Sequence, residues 1–181
     1  MDKREIETKL KTCGDYVKMD YLSRCLKSGK LDLDTKKFVM VRLSGIYESR
    51  RMFFDAANLL LNAAEISATE QSRLNDYVKS GELFIRCGRD KEAETTFNKA
   101  LSLCKDEKRK DIVKSAKIGA MIGQARVYLN KGKKRYALRL YESLLECDMD
   151  SEIKEKIKER LLEIYEQLGM VREYMLLKKD I

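Results

Sequence analysis

The chain has 181 residues, enough for one substantial core, and its 44% hydrophobic and 38% charged residues suit helices with one apolar and one solvated face rather than a disordered chain. There is no proline and there are only nine glycines, so helix breakers are scarce and strands lack their turn signals; helix is expected nearly throughout. The absence of histidine removes the commonest general base and metal ligand, and a net charge of +8 favours an acidic partner.

In chain order, residues 1–37 read as a helical hairpin. Ile6, Leu10 and Cys13 form one stripe, Gly14 stops it, and Val17, Tyr21, Leu22, Cys25 and Leu26 form a second before Gly29. The acidic pair in Leu31-Asp32-Leu33-Asp34 lacks the other ligands of a calcium loop, and Asp34 is expected to cap the next helix. Residues 38–73 carry Gly45, Ala57, Leu61 and Ala64 at spacings that recur downstream, with Glu48 and Met52 where an aromatic residue and a glycine stand later. Residues 74–117 hold the clearest unit, in which Gly81, Phe84, Gly88, Ala93, Phe97 and Ala100 run small, aromatic, glycine, small, aromatic, small. Gly81 and Ala93 allow two helices to cross closely, Phe84 and Phe97 fill the space beside the crossing, Gly88 supplies a left-handed stop, and Asp90 is expected to cap the second helix.

Residues 118–154 repeat the frame with Ala125, Tyr128, Gly132, Ala137 and Tyr141, ending on Leu144. Residues 155–181 keep Tyr165 and Gly169 but place Tyr174 and Lys178 at later positions, as a degenerate capping unit would. Gly45, Gly81, Ala125 and Leu162 stand 36, 44 and 37 residues apart. The longest interval holds about two extra helical turns in or beside the charged stretch 105–111.

This residue order resembles the tetratricopeptide (TPR) repeat, specifically over 74–151 and more loosely over 38–181; the long periods are also similar to SNAP-like adaptor arrays with longer helices. The resemblance implies an all-α, right-handed α-solenoid of about five antiparallel helical hairpins forming a single domain over 1–181. It further implies that the first helices of successive hairpins line a concave groove, which puts Arg42, Arg50, Asn75, Val78, Arg86, Ile122, Arg126 and Asn130 on the groove side. The alternative reading makes these arginines ordinary solvated side chains. Ile46 and Gly119 occupy two places where the family's chaperone-binding members carry clamp residues, which argues against a chaperone partner.

No nucleotide-binding glycine loop or nucleophile elbow occurs, so no catalytic residue, metal site or cofactor is expected and the chain is read as non-enzymatic. Five widely spaced cysteines without a Cys-x-x-Cys pair read as reduced thiols. No apolar run approaches bilayer length, and residues 1–5 lack a secretory segment, so a cytoplasmic location is expected. Gly119 and Gly123 read as a close helix–helix contact rather than a membrane dimer motif. The leading functional expectation is a protein–protein interaction module or adaptor that holds an acidic or polar segment in its groove. The alternative is a nucleic-acid- or ribosome-associated factor that uses the basic clusters 105–117 and 131–139 on phosphate, although lysines at a helix end also complement its dipole. Self-association through open solenoid ends is a third reading.

Overall fold

Short polar side chains set the helix starts. Asp2 accepts the Glu5 N–H while Glu5 accepts the Asp2 N–H, a capping box that opens α1 (Lys3–Lys11). Gly14 precedes α2 (Asp15–Lys27) in an extended conformation. Asp32, rather than Asp34, caps α3 (Leu33–Ser49), accepting the Thr35 N–H at 2.9 Å and the Thr35 hydroxyl at 2.7 Å. Asp34 falls one step inside, in the first turn. Thr69 caps α5 (Glu70–Arg86) in the same manner, whereas Asp90 is the first residue of α6 (Asp90–Ser102), where its charge meets the helix dipole without capping an N–H. The other helices are α4 (Phe53–Glu65), α7 (Glu107–Asn130), α8 (Lys134–Leu145), α9 (Ser151–Leu168) and α10 (Val171–Lys179). This computed structural model describes residues 2–179, and among them the regular elements are these ten helices, with no strand. The charged stretch before residue 112 is ordered helix from Glu107 onward, so the longest repeat interval lengthens α7.

Four hairpin turns are built alike. Gly88, Gly132 and Gly169 take φ of 73°, 69° and 69°, and Arg51 takes 62°. In each turn the next residue's N–H reaches back five residues: Arg89 to the Phe84 carbonyl, Lys133 to Tyr128, Met170 to Tyr165 and Met52 to Tyr47. This is the Schellman arrangement, which satisfies carbonyls left open at a helix end. The upstream frame is therefore one residue earlier than expected. Tyr47 corresponds to Phe84, Arg51 to Gly88 and Ser44 to Gly81, and the turn intervals become 37, 44 and 37 residues. Burial agrees at the two positions that differ: Ser44 is buried while Gly45 is exposed, and Leu60 is buried while Leu61 is only partly so.

The chain divides into two compact units, one up to Val113 and one from Lys114 onward. In the first, α2 packs on α3, α3 on α4, α4 on α5 and α5 on α6. Ile6, Leu22, Cys25, Val39 and Leu43 close its N-terminal end, and Phe84 and Phe97 are fully buried further along. Burying each such side chain contributes about 1.5–3 kcal/mol. At Gly81 an added Cβ would lie 2.7 Å from the Phe97 ring, the close crossing the motif calls for. Two buried hydroxyls are satisfied by backbone: Ser44 donates to the Ala56 carbonyl at 3.0 Å and Ser80 to the Ala57 carbonyl at 2.8 Å. Val17, expected on the second stripe, is 56% exposed.

In the second unit α8 packs on α9 and α9 on α10. Tyr165, 8% exposed, donates to Glu142 at 3.0 Å, and burial first, then that carboxylate, pushes its phenol up to about 12. The expected contact at Gly119 and Gly123 is not made: both are exposed, and a Cβ on either meets nothing within 4 Å. α10 buries no residue fully.

Candidate partner-binding troughs

Two concavities lie in the first unit, each walled by the first helix of a hairpin. One of about 790 Å3 is bounded by Glu7, Leu10 and Lys11 of α1, Lys18 of α2, and Phe38, Val41, Arg42, Gly45, Ile46 and Ser49 of α3. The other, about 360 Å3, runs between Gln71, Leu74, Asn75, Val78, Lys79 and Glu82 of α5 and Arg109, Ile112 and Val113 of α7. Both are lined by apolar side chains together with charged or amide ones, a mixture that suits an extended chain with alternating apolar and polar side chains.

Of the expected groove residues, Arg42 lines the larger trough, and Asn75 and Val78 line the smaller. Arg42 is already engaged: it donates to Glu7 at 2.8 Å and lies 5.2 Å from the Phe38 ring centroid. Arg50 sits at the C-cap of α3, over the Tyr16 ring at 4.0 Å and 3.7 Å from Asp15. Arg86 pairs with Glu48 at 2.5 Å and lies 4.2 Å from the Phe53 ring. Asn75 accepts from Gln71 at 3.0 Å and is otherwise exposed. In the second unit Ile122 is half-buried, and Arg126 and Asn130 are exposed with no ion pair or side-chain hydrogen bond among the described residues.

The shifted frame also brings in two residues that sequence reasoning passed over. Val41 and Ser49, rather than Arg42 and Arg50, correspond to Val78 and Arg86, and both line the larger trough. The signal was available in Tyr47: placing aromatic on aromatic, instead of Gly45 on Gly81, finds the frame.

Between α3 and α5 the charges form a continuous set. Glu48 accepts from Lys79 at 3.0 Å as well as from Arg86, and Lys79 also approaches Glu82 at 3.8 Å. Burial raises the Glu82 carboxyl above its ordinary value against the opposing pull of Lys79. Lys37 and Asp76 pair at 2.8 Å with both side chains largely covered, and Lys37 also bonds to Ser72. On α4, Glu65 accepts from Lys99 at 2.8 Å and from the Tyr77 hydroxyl at 2.9 Å, which holds its carboxyl below the usual range.

The two basic clusters differ. In the first, Lys105 pairs with Glu70 at 2.7 Å, Lys110 with Glu107 at 2.7 Å and Lys114 with Asp148 at 3.1 Å. In the second, Lys131, Lys133, Lys134, Arg135 and Arg139 have no carboxylate partner among the described residues, and all but the half-buried Lys134 are exposed.

Helical hairpins with like-built turns and small residues at their crossings define an all-α repeat protein. Residues 77–111 match the family model described as tetratricopeptide repeat, and the chain is a TPR-like helical repeat protein. Among solved structures it is similar to MamA, at 16% identity and a TM-score of 0.45 over 99% of this chain and 92% of that one. It is also similar to the Rap conjugation gene regulator of the plasmid pLS20, solved in complex with the Phr* peptide, at 14% identity and a TM-score of 0.41. That match covers 91% of this chain, which spans 47% of the Rap chain. No curated protein matches the sequence. No helix among the described residues is long and apolar enough to cross a membrane.

Proposed function

We propose that this protein is a non-enzymatic interaction module that holds an extended acidic or polar segment of a partner protein against the first helices of its hairpins. The observation that carries the reading is the trough between α5 and α7. Leu74, Val78, Ile112 and Val113 give it apolar lining, beside the amides of Gln71 and Asn75 and the Arg109 guanidinium, whose Nε lies 3.5 Å from Asp106. Amides satisfy an extended backbone, apolar residues accept alternate side chains, and arginine forks bind carboxylates. Arg42, Arg50 and Arg86 contribute positive field but are held by Glu7, Asp15 and Glu48, so an incoming carboxylate competes with internal ones. Arg126 carries no such competitor, and with Ile122 and Asn130 it supplies the same chemistry on α7.

The test is affinity capture from nuclease-treated lysate at about 150 mM salt, comparing the wild type with Asn75→Ala, Val78→Asp and Arg126→Glu variants. Nuclease-resistant protein partners that are lost from the variants support the reading. Partners retained by all three overturn it.

A further inference from the structure

We propose that the turn joining α7 to α8 binds the phosphodiester backbone of single-stranded nucleic acid, through residues that line neither trough. Residues 131–139 read Lys-Gly-Lys-Lys-Arg-Tyr-Ala-Leu-Arg, with five cations and no acid. Several basic side chains elsewhere are paired across successive hairpins, as Lys105 with Glu70 and Lys99 with Glu65. Here none of the five has a carboxylate partner among the described residues. Helix polarity does not account for them all either. Lys131 follows the end of α7, where a cation is favoured, but Lys133 is the N-cap of α8 and Lys134 and Arg135 occupy its first turn, where the dipole opposes positive charge. Stability would place acids there, yet the first turn of α8 holds none.

The second observation is aromatic. Tyr136 is 55% exposed, its ring braced against Tyr128 at a centroid distance of 5.4 Å, with the Lys133 ammonium 5.8 Å from its centroid. A braced, solvent-facing ring among unneutralised cations is the combination that binds single strands: the charges attract the phosphates and the ring accepts a base. An acidic peptide would use the charges but leave the ring without a role, so nucleic acid fits both features.

The experiment uses the full-length protein and a fluorescein-labelled 20-nucleotide oligouridylate, read by fluorescence anisotropy. Affinity should fall roughly 10- to 100-fold between 50 and 200 mM salt, as expected for about three to five neutralised phosphates on a single strand. A Lys133→Gln/Arg135→Gln/Arg139→Gln variant should lose at least about tenfold in affinity at 50 mM salt with unchanged circular dichroism. Tyr136→Ser should weaken oligouridylate several-fold while leaving a 20-residue polyglutamate competitor unaffected. A control, Lys105→Gln/Lys110→Gln, removes two paired cations and should change affinity by less than about twofold. The proposal is overturned if the wild type does not bind at 50 mM salt, if the control weakens binding as much as the triple variant, or if polyglutamate displaces the oligonucleotide at equal charge concentration. Because none of these residues lines a trough, loss of oligouridylate binding and loss of protein partners are separate results.

Discussion

Substituting Gly81 with alanine sets two effects of known sign against each other. Alanine in a helix interior is favoured over glycine by about 0.5–1 kcal/mol, so without tertiary contacts the change would stabilise α5. The structure opposes it. The new Cβ would stand 2.7 Å, 2.8 Å and 3.0 Å from three carbons of the Phe97 ring, which is wholly buried and cannot swing into solvent. Relieving that overlap requires α5 and α6 to separate by several tenths of an ångström, and overpacking of this kind costs about 1–3 kcal/mol. The net expectation is a loss of about 1–2 kcal/mol, or roughly 2–8 °C in Tm for a chain of this length. Urea denaturation followed by circular dichroism measures it. Phe97→Leu alone should cost about 1 kcal/mol or more through the cavity it leaves, but in the double variant the two costs should not add, with a coupling of about 1 kcal/mol. The pair would then resemble Ser44 and Leu60 at the equivalent crossing. A Gly81→Ala protein as stable as the wild type, or strict additivity in the double variant, would refute the argument.

Arg51 holds a left-handed backbone at φ 62° where the other three like-built turns use glycine, so Arg51→Gly should raise stability by up to about 1 kcal/mol, read as an increase in the urea midpoint. The Glu82 carboxyl is raised in the folded state, chiefly by burial, so its ionisation opposes folding above the ordinary carboxylate range and is without effect below it. Glu82→Gln should therefore raise Tm at pH 7 and leave it unchanged near pH 4, as scanning calorimetry at the two pH values would show. Tyr165→Phe removes the hydroxyl that joins α9 to Glu142 and should cost about 1–2 kcal/mol by urea denaturation.

The repeat architecture was legible because its determinants are local. Gly88, Gly132 and Gly169 mark helix stops through backbone geometry alone, and Phe84 and Phe97 announce a close crossing beside Gly81. The upstream hairpin was misread by one residue because its stop is made by Arg51, which carries no glycine signature, while Gly45 drew the frame to itself although it faces solvent. Helix caps failed in a similar way. Asp32 and Asp34 are equally good capping residues in sequence, and the choice went to the one whose carboxylate reaches both the N–H and the hydroxyl of Thr35. The Gly119–Gly123 spacing carried no packing information, since both residues face outward.

The charges were harder to read, because what a basic residue does in a repeat array depends on a residue one repeat away. Arg42 pairs with Glu7 at a separation of 35 positions, Arg86 with Glu48 at 38, Lys99 with Glu65 at 34 and Lys105 with Glu70 at 35. These separations follow the repeat period, so equivalent faces of successive hairpins meet and opposite charges at one period find each other. Each exposed pair contributes little to stability, on the order of 0–1 kcal/mol, yet together they decide which cations remain available to a partner. Judged by this rule, Arg42 and Arg86 are committed within the molecule while Arg126 and the cations of 131–139 are not. The rule also makes the availability adjustable. Replacing Glu48 with glutamine would release Arg86 and leave Lys79 with Glu82 alone on the α5 face, which should strengthen capture of an acidic segment beside the smaller trough and steepen its salt dependence. An affinity unchanged by Glu48→Gln would mean that the arginine ladder serves only the packing of one hairpin on the next.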